Sequence, residues 1–233
     1  MIDNEKFELR NTYGICGLPP LLWPKADRGL FGQVTFQVIP VDGPIKDLAQ
    51  DTHIWMNMIS ERSVVVQAGG AAGMYPVFYA NHFETVYTFE PETDNFTCLE
   101  YNCKNLKNVI YKNAGLGSAA GTATLAKIAP QNAGMHRIVD PATLNPNVPQ
   151  EILSTIELVT IDSLNLDRCE LLHLDVELHE LEALRGAEET INRCKPIIVV
   201  ETGGRPSPAH EYLVGLGYKL HTQARMDAVY VAE

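Results

Sequence analysis

The chain has 233 residues, 45% of them hydrophobic and 20% charged, which suits one α/β domain with a sizeable core. Its formal net charge is −11 with no dense Lys/Arg run, which argues against non-specific binding to nucleic acid or to an anionic membrane. Five cysteines (Cys16, Cys98, Cys103, Cys169 and Cys194) have no CxxC spacing, so neither a disulfide framework nor a structural zinc site is expected, and a cytoplasmic setting is the simplest.

The polar N-terminus "MIDNEKFELRNTYG" does not read as a signal peptide, and no apolar run reaches the length of a membrane span. The first thirty residues, rich in Gly and Pro, predict an irregular arm. Gln33–Val41 alternates and predicts a short strand. Ile45 to Arg62 predicts a helix with Leu48, Trp55, Met58 and Ile59 facing inward. Residues 1–62 are therefore expected to form an N-terminal extension on a domain spanning 63–233.

Ser63–Ala68 ("SVVVQA") is the continuous β-branched run of a strand buried on both faces. "GGAAG" follows, then a helix from Met74 to Phe83. Thr85–Pro91 predicts a second strand and Glu92 to Asn105 a second helix. "NVIYKNAGLG" predicts a third strand ending in a glycine-rich turn, and "GTATLAKI" an extra strand. Ala129 to Gln150, with Pro, Asn and Gly, reads as a long loop of the kind that often carries function. "CELLHLDV" predicts a fourth core strand. Leu178 to Arg193 predicts the clearest helix, with Leu178, Leu181, Leu184, Ala187 and Ile191 in one apolar stripe. "PIIVVET" is a fifth strand, Ser207 to Leu216 a helix, and "GYKLHT" with "DAVYVAE" a closing hairpin. The alternation implies a mostly parallel sheet with helices on both faces.

Ligands of such sheets sit at the carboxyl ends of the strands. Gly69, Gly70 and Gly73 let the backbone turn and approach a ligand closely. Glu90 ends the next strand, 21 positions after Gly69, the usual place for a carboxylate that accepts hydrogen bonds from ribose hydroxyls. Together they point to a nucleoside-containing cofactor. Separately, the glycines read equally as a tight strand–helix turn and Glu90 as a helix cap.

The third distinctive strand end is "LLHLDVELHELEALRG", with His173, Asp175, Glu177 and His179 at alternate positions. A strand ending near Asp175 and a helix starting near Glu177 break that period, which makes a four-ligand metal site the minority reading. Glu177 also suits a helix N-terminus, His179 a solvated helix position and His173 a satisfied core histidine. Asp175 closes a buried strand beside the other two strand ends.

These segments resemble the FkbM family of S-adenosyl-L-methionine-dependent methyltransferases, in the right order from roughly Ser63 to Glu233. "VVVQAGGAAGMYPVFYA" is similar to the family's cofactor loop, and "VYTFEPETDNFTCLEYNCKN" to its acidic strand end. The most specific likeness is "LVTIDSL" followed by "LLHLDVELHELEALRGAEETINRCKPIIVVE". The resemblance implies a Rossmann-like class I methyltransferase fold, seven-stranded, with a C-terminal antiparallel hairpin. It implies that Gly69, Gly70 and Gly73 surround the methionine part of the cofactor, that Gln67, opening the loop, and Asp175 also bind the cofactor, that Glu90 holds the ribose, and that Asn113 and Ala114 lie near adenine. Asp175 and Glu177 correspond to the family's Asp-x-Glu pair near the reacting centre. The chain departs from the pattern at Gln67 (for Asp), Ala71 (for Asn), His173 (for Lys) and Leu178 (for Gly).

The function these readings imply is O-methylation of a hydroxyl on a sugar, a glycan or another small molecule. A hydroxyl acceptor must lose its proton, and His173, Glu177 and His136 are the candidate bases. Alternatively, Asp175 and Glu177 bind a divalent cation, Mg²⁺ or Ca²⁺, that lowers the acceptor's pKa. Two rival readings stand beside this one. A nicotinamide oxidoreductase would also use the glycine loop and Glu90, although "GGAAG" lacks the GxGxxG spacing. A fold that binds cofactor or partner without turnover is motivated by the four departures.

Overall fold

The structure is a computed structural model that describes residues 2–12, 14–27, 44–128, 132–143, 151–205 and 207–233. The strand expected at Gln33–Val41 lies outside them. In the N-terminal arm, β1 (Phe7–Arg10) pairs antiparallel with β2 (Leu21–Pro24). The arm is thus more regular than its Gly/Pro content predicts, because side chains satisfy its backbone. The Thr12 hydroxyl donates to the Leu18 carbonyl at 2.6 Å, and Arg10 donates to the Asp27 carbonyl at 3.1 Å. Helix α1 (Pro44–Met56) stops short of the expected Arg62, whose guanidinium folds back to donate to the Met56 carbonyl at 3.0 Å.

The chain then runs β3 (Val64–Ala68), α2 (Met74–Ala80), β4 (Thr85–Phe89), α3 (Thr93–Cys103) and β5 (Val109–Lys112). Next come β6 (Gly115–Leu116), β7 (Gly121–Lys127), β8 (His136–Val139) and β9 (Glu151–Val159). The last stretch is β10 (Leu171–Leu174), α4 (Glu180–Arg185), α5 (Glu188–Cys194), β11 (Ile197–Glu201), α6 (Pro208–Gly215), β12 (Tyr218–Ala224) and β13 (Asp227–Ala232).

Seven strands form one sheet in the order β12-β13-β11-β10-β3-β4-β5. Strands β3, β4, β5, β10 and β11 are mutually parallel, while β13 runs antiparallel to both β11 and β12. Strand alternation sorts the core into two layers. Val65, Leu171 and Val199 pack with Trp55, Phe78 and Leu99 of α1, α2 and α3. Val66, Leu172 and Ile198 pack with Leu184, Ile191 and Leu213 of α4, α5 and α6. Phe7, Leu22 and Leu48 join the first layer, so the N-terminal segment shares the domain's core.

Three expectations need correction. The loop expected at Ala129–Gln150 contains strand β8, and β9 was not foreseen; both belong to a four-stranded sheet of order β6-β9-β7-β8. The apolar residues of β9 (Ile152, Leu153, Ile156, Leu158 and Val159) neither alternate nor form an unbroken run, only Ile156 is buried, and the strand is held by its ladder to β7. The third strand splits into β5 and β6, which lie in different sheets. The helix expected at Leu178–Arg193 is two helices. A Cβ on Gly186 would stand 2.0 Å from the Gly117 carbonyl oxygen, and Asp162 restarts the second helix by accepting from the Glu189 and Thr190 amides at 3.0 and 2.8 Å. No helix among the described residues is long and apolar enough to cross a membrane.

Candidate active site

A cavity of about 970 Å³ opens at the carboxyl ends of β3, β4, β10 and β11. The four-stranded sheet walls it with Leu125, His136 and Ile138, and the arm contributes Trp23 and Asp27. The loop before β8 is tied down on both sides. Asn95 donates to the Ala133 carbonyl at 2.8 Å, and the Ala133 amide donates to Asp27 at 3.2 Å.

The loop after β3 is shaped by its backbone. The Gly69 and Gly70 amides both donate to the Phe89 carbonyl, at 3.1 and 3.0 Å, which draws the ends of β3 and β4 together. Gly69 has φ +79°, and a Cβ there would fall 1.7 Å from the Asp175 carbonyl oxygen, so only glycine fits. Ala71 is held at φ +43° with its amide donating to Glu90 Oε2 at 2.7 Å. The other Glu90 oxygen accepts from the Glu92 amide at 2.8 Å. Burial pushes the Glu90 carboxyl up to about 7, against the pull of these two amides.

Beyond β10 the chain turns through Glu177 at φ +54° and Leu178 at φ +74°, two successive left-handed residues that are not glycine. Glu180 clamps this turn: its buried carboxylate accepts from the Val176 and Leu178 amides at 3.3 and 3.1 Å. The turn brings Asp175 and Glu177 beside Glu201 of β11, with one oxygen from each carboxylate within 4.8 Å of the others. Burial, then Glu201, Asp227 and Glu177, pushes the Asp175 carboxyl well above its usual range. Burial and Glu201 push Glu177 up to about 7, while Arg137 at 3.7 Å pulls the other way. Glu180, Glu201 and Arg137 are site residues the sequence reading missed. Glu201 had a signal, as a carboxylate closing the strand "PIIVVET" next to β10.

The structure brings together on the cavity wall Gly69, Gly70, Glu90, Ala114, Asp175, Glu177 and His136. It puts four other candidates elsewhere. His173 lies in the core with Nδ1 at 2.9 Å from the Tyr79 hydroxyl, which in turn accepts from Trp55 Nε1 at 3.1 Å. Burial drives its imidazole down to about 3, so it stays neutral. Gln67 shares that sheet face and is fully partnered, donating to the Ala68 and Gly69 carbonyls and accepting from Thr88. Gly73 caps α2 at φ +93°. Asn113 is exposed and donates to the Glu90 carbonyl at 2.8 Å. His179, expected in solvent, is half-buried. By contrast His136, pushed down to about 4 by burial and Lys127, keeps a buried Nδ1 without a partner among the described residues, as does Arg137 its Nε.

The methyltransferase FkbM domain matches residues 69–220, which include the glycine loop, Glu90 and the Asp175–Glu177 turn. The chain belongs to this family. Among solved structures, a methyltransferase FkbM from Methylobacillus flagellatus KT is similar at TM-score 0.52 and 18% identity over 73% of this chain. The chain spans 43% of that protein's length. A precorrin-6y C5,15-methyltransferase from Geobacter metallireducens GS-15 is more distant, at TM-score 0.43 and 13% identity over 78% of this chain and 85% of that one. A ribosomal protein L11 methylase from Lactobacillus delbrueckii subsp. bulgaricus gives TM-score 0.46 and 8% identity, covering 82% and 80% of the two chains. No curated protein matches the sequence. The fold of this FkbM-domain protein is thus the α/β fold of class I methyltransferases. Two of its departures from the family pattern, Ala71 and Leu178, fall at left-handed positions that Asn or Gly would occupy with less strain.

Proposed function

We propose that the chain is an S-adenosylmethionine-dependent O-methyltransferase acting on a hydroxyl of a sugar, a glycan or another small molecule in the cytoplasm. The observation that carries this reading is that one cavity holds both the buried Glu90 and the Asp175–Glu177 turn. The residues present fit the cofactor: a glycine-tight loop, a buried carboxylate after β4 and His136 all line the same space. When bound, the cofactor supplies an activated methyl group on a sulfonium.

Glu90 accepts the ribose hydroxyls with the lone pairs its two backbone amides leave free. Glu177 is the base that takes the acceptor's proton, because a carboxyl near 7 is matched to that task at neutral pH. Arg137 steadies its charged form. Asp175 stays protonated beside Glu201, which lowers the charge repulsion in the turn. His136 offers its imidazole to a polar atom of the bound ligand.

The test is methyl transfer to a panel of hydroxyl acceptors, read as S-adenosylhomocysteine release. Glu177→Gln is expected to keep cofactor binding and lose at least a hundredfold in turnover. Full activity in that variant would refute the assignment, and cofactor binding with no turnover on any acceptor would favour a binding protein. The proximity of Asp175, Glu177 and Glu201 favours a second reading, in which their oxygens hold Mg²⁺ or Ca²⁺. Loss of activity in EDTA, restored by Mg²⁺, would select it.

A further inference from the structure

The Leu178 amide helps to hold the turn, but nothing in the fold accounts for a leucine side chain there. Its side chain is 77% exposed, and its backbone sits at φ +74°, where an L side chain is strained and glycine is not. The left-handed backbone costs stability, and the exposed side chain recovers none of it by burial. Yet the residue lines the cavity directly after Glu177, and Met226, 51% exposed, lines it from the turn between β12 and β13. That turn also carries a left-handed residue, Arg225 at φ +54°. Val176 adds a third apolar group to the same wall. One cavity is therefore lined by the carboxylates of Asp175, Glu177 and Glu201, by the apolar side chains of Val176, Leu178 and Met226, and by Arg205 and Arg225.

Strain kept next to a candidate catalytic group is a sign of function. We propose that Leu178, with Met226, is a specificity-determining residue that packs on an apolar portion of the acceptor while Glu177 takes the neighbouring hydroxyl. The substrate class is then an amphipathic alcohol, a hydroxyl-bearing ring joined to an alkyl or aryl group, and not a free sugar. This rests on the methyltransferase reading of the same cavity.

The probes are methyl and octyl β-glucopyranoside, the second used below its micelle concentration, added to the full chain in S-adenosylhomocysteine. Calorimetry first checks cofactor binding, so that failure of the cofactor reading is seen separately. Methyl-labelled protein is then followed by NMR at the Leu178 δ-methyls and the Met226 ε-methyl. The octyl glycoside is expected to shift these methyls saturably, with affinity about tenfold above that of the methyl glycoside. Leu178→Gly is expected to erase that tenfold preference while thermal stability holds or rises, since glycine is at ease at this backbone angle. Met226→Ala provides a second variant with an ordinary backbone, expected to lose a smaller part of the preference. Equal affinities for the two glycosides, no response at the two residues, or Leu178→Gly retaining the preference would each overturn the proposal. Shifts that depend on protein concentration alone would assign these apolar side chains to a second copy of the chain, and would overturn it too.

Discussion

Replacing Glu90 with Gln tests the cofactor site most directly. Each Glu90 oxygen already accepts one backbone amide, from Ala71 at 2.7 Å and from Glu92 at 2.8 Å, and Asn95 also favours the charged form, which leaves acceptor capacity for a ribose hydroxyl. In Glu90→Gln one oxygen becomes an amide group facing a backbone N–H. One hydroxyl acceptor is lost, and with it the negative charge. A charge-assisted hydrogen bond of this kind contributes about 1.5–3 kcal/mol, so S-adenosylhomocysteine should bind roughly 10- to 150-fold more weakly at pH 8. Because the carboxyl of the free protein titrates at about 7, the wild type should lose affinity towards tenfold per pH unit below that point. The variant should lose less, so the gap between the two closes by about tenfold at pH 6. Glu177 titrates in the same range, but its effect is common to both proteins and cancels in the difference. Isothermal calorimetry of both proteins from pH 6 to 8.5 measures this. Affinities within threefold of each other at pH 8, with the variant folded, would refute the role of Glu90, as would two parallel pH profiles.

Three further outcomes are expected. Between pH 8 and about 6.5 the native chain holds protons on Glu90, Glu177 and Asp175 that the unfolded chain releases, so the ligand-free protein should gain thermal stability as pH falls through that window. Below it the buried imidazoles of His173 and His136 work in the opposite sense; a melting temperature that is flat or highest at pH 8 would contradict the assignment. Glu180→Ala frees the Val176 and Leu178 amides and should cut turnover at least tenfold with cofactor affinity within threefold of wild type, whereas Glu180→Gln, which keeps an acceptor oxygen, should restore most of it in the same kinetic assay. Tyr79→Phe strands both Trp55 Nε1 and His173 Nδ1 in the core and should cost about 2–4 kcal/mol in urea unfolding; a loss under 1 kcal/mol would show that the chain of hydrogen bonds is not structural.

The elements of the large sheet were legible because their signals are local. "SVVVQA", "LLHL" and "PIIVVE" are mostly apolar, as strands covered on both faces must be, with Gln67 and His173 as buried polar exceptions, and β3, β10 and β11 lie where they predict. Strand β9 was not legible, because the apolar residues of "EILSTIELV" follow neither the alternation nor the unbroken run that marks a strand. The break in the Leu178–Arg193 helix was equally hidden. Its causes, Gly117 and Asp162, are distant in sequence.

The sequence by itself determined which chemical groups stand at the strand ends: the glycines after β3, Glu90 after β4, Asp175 and Glu177 after β10. A strand end is marked by where an apolar run stops, and that is written in one dimension. Only the tertiary structure decided which of these groups share a cavity. His173 and Asp175 are two residues apart, and alternation alone would put them on one face. The strand ends at Leu174, however, and the left-handed turn at Glu177 and Leu178 swings the carboxylates towards Glu201 while His173 stays in the core with Tyr79. His136 reaches the same cavity only because β8 folds over it from a separate sheet. Backbone sign and long-range strand pairing carry no local signature, so the site was assembled by the fold from groups the sequence could only name.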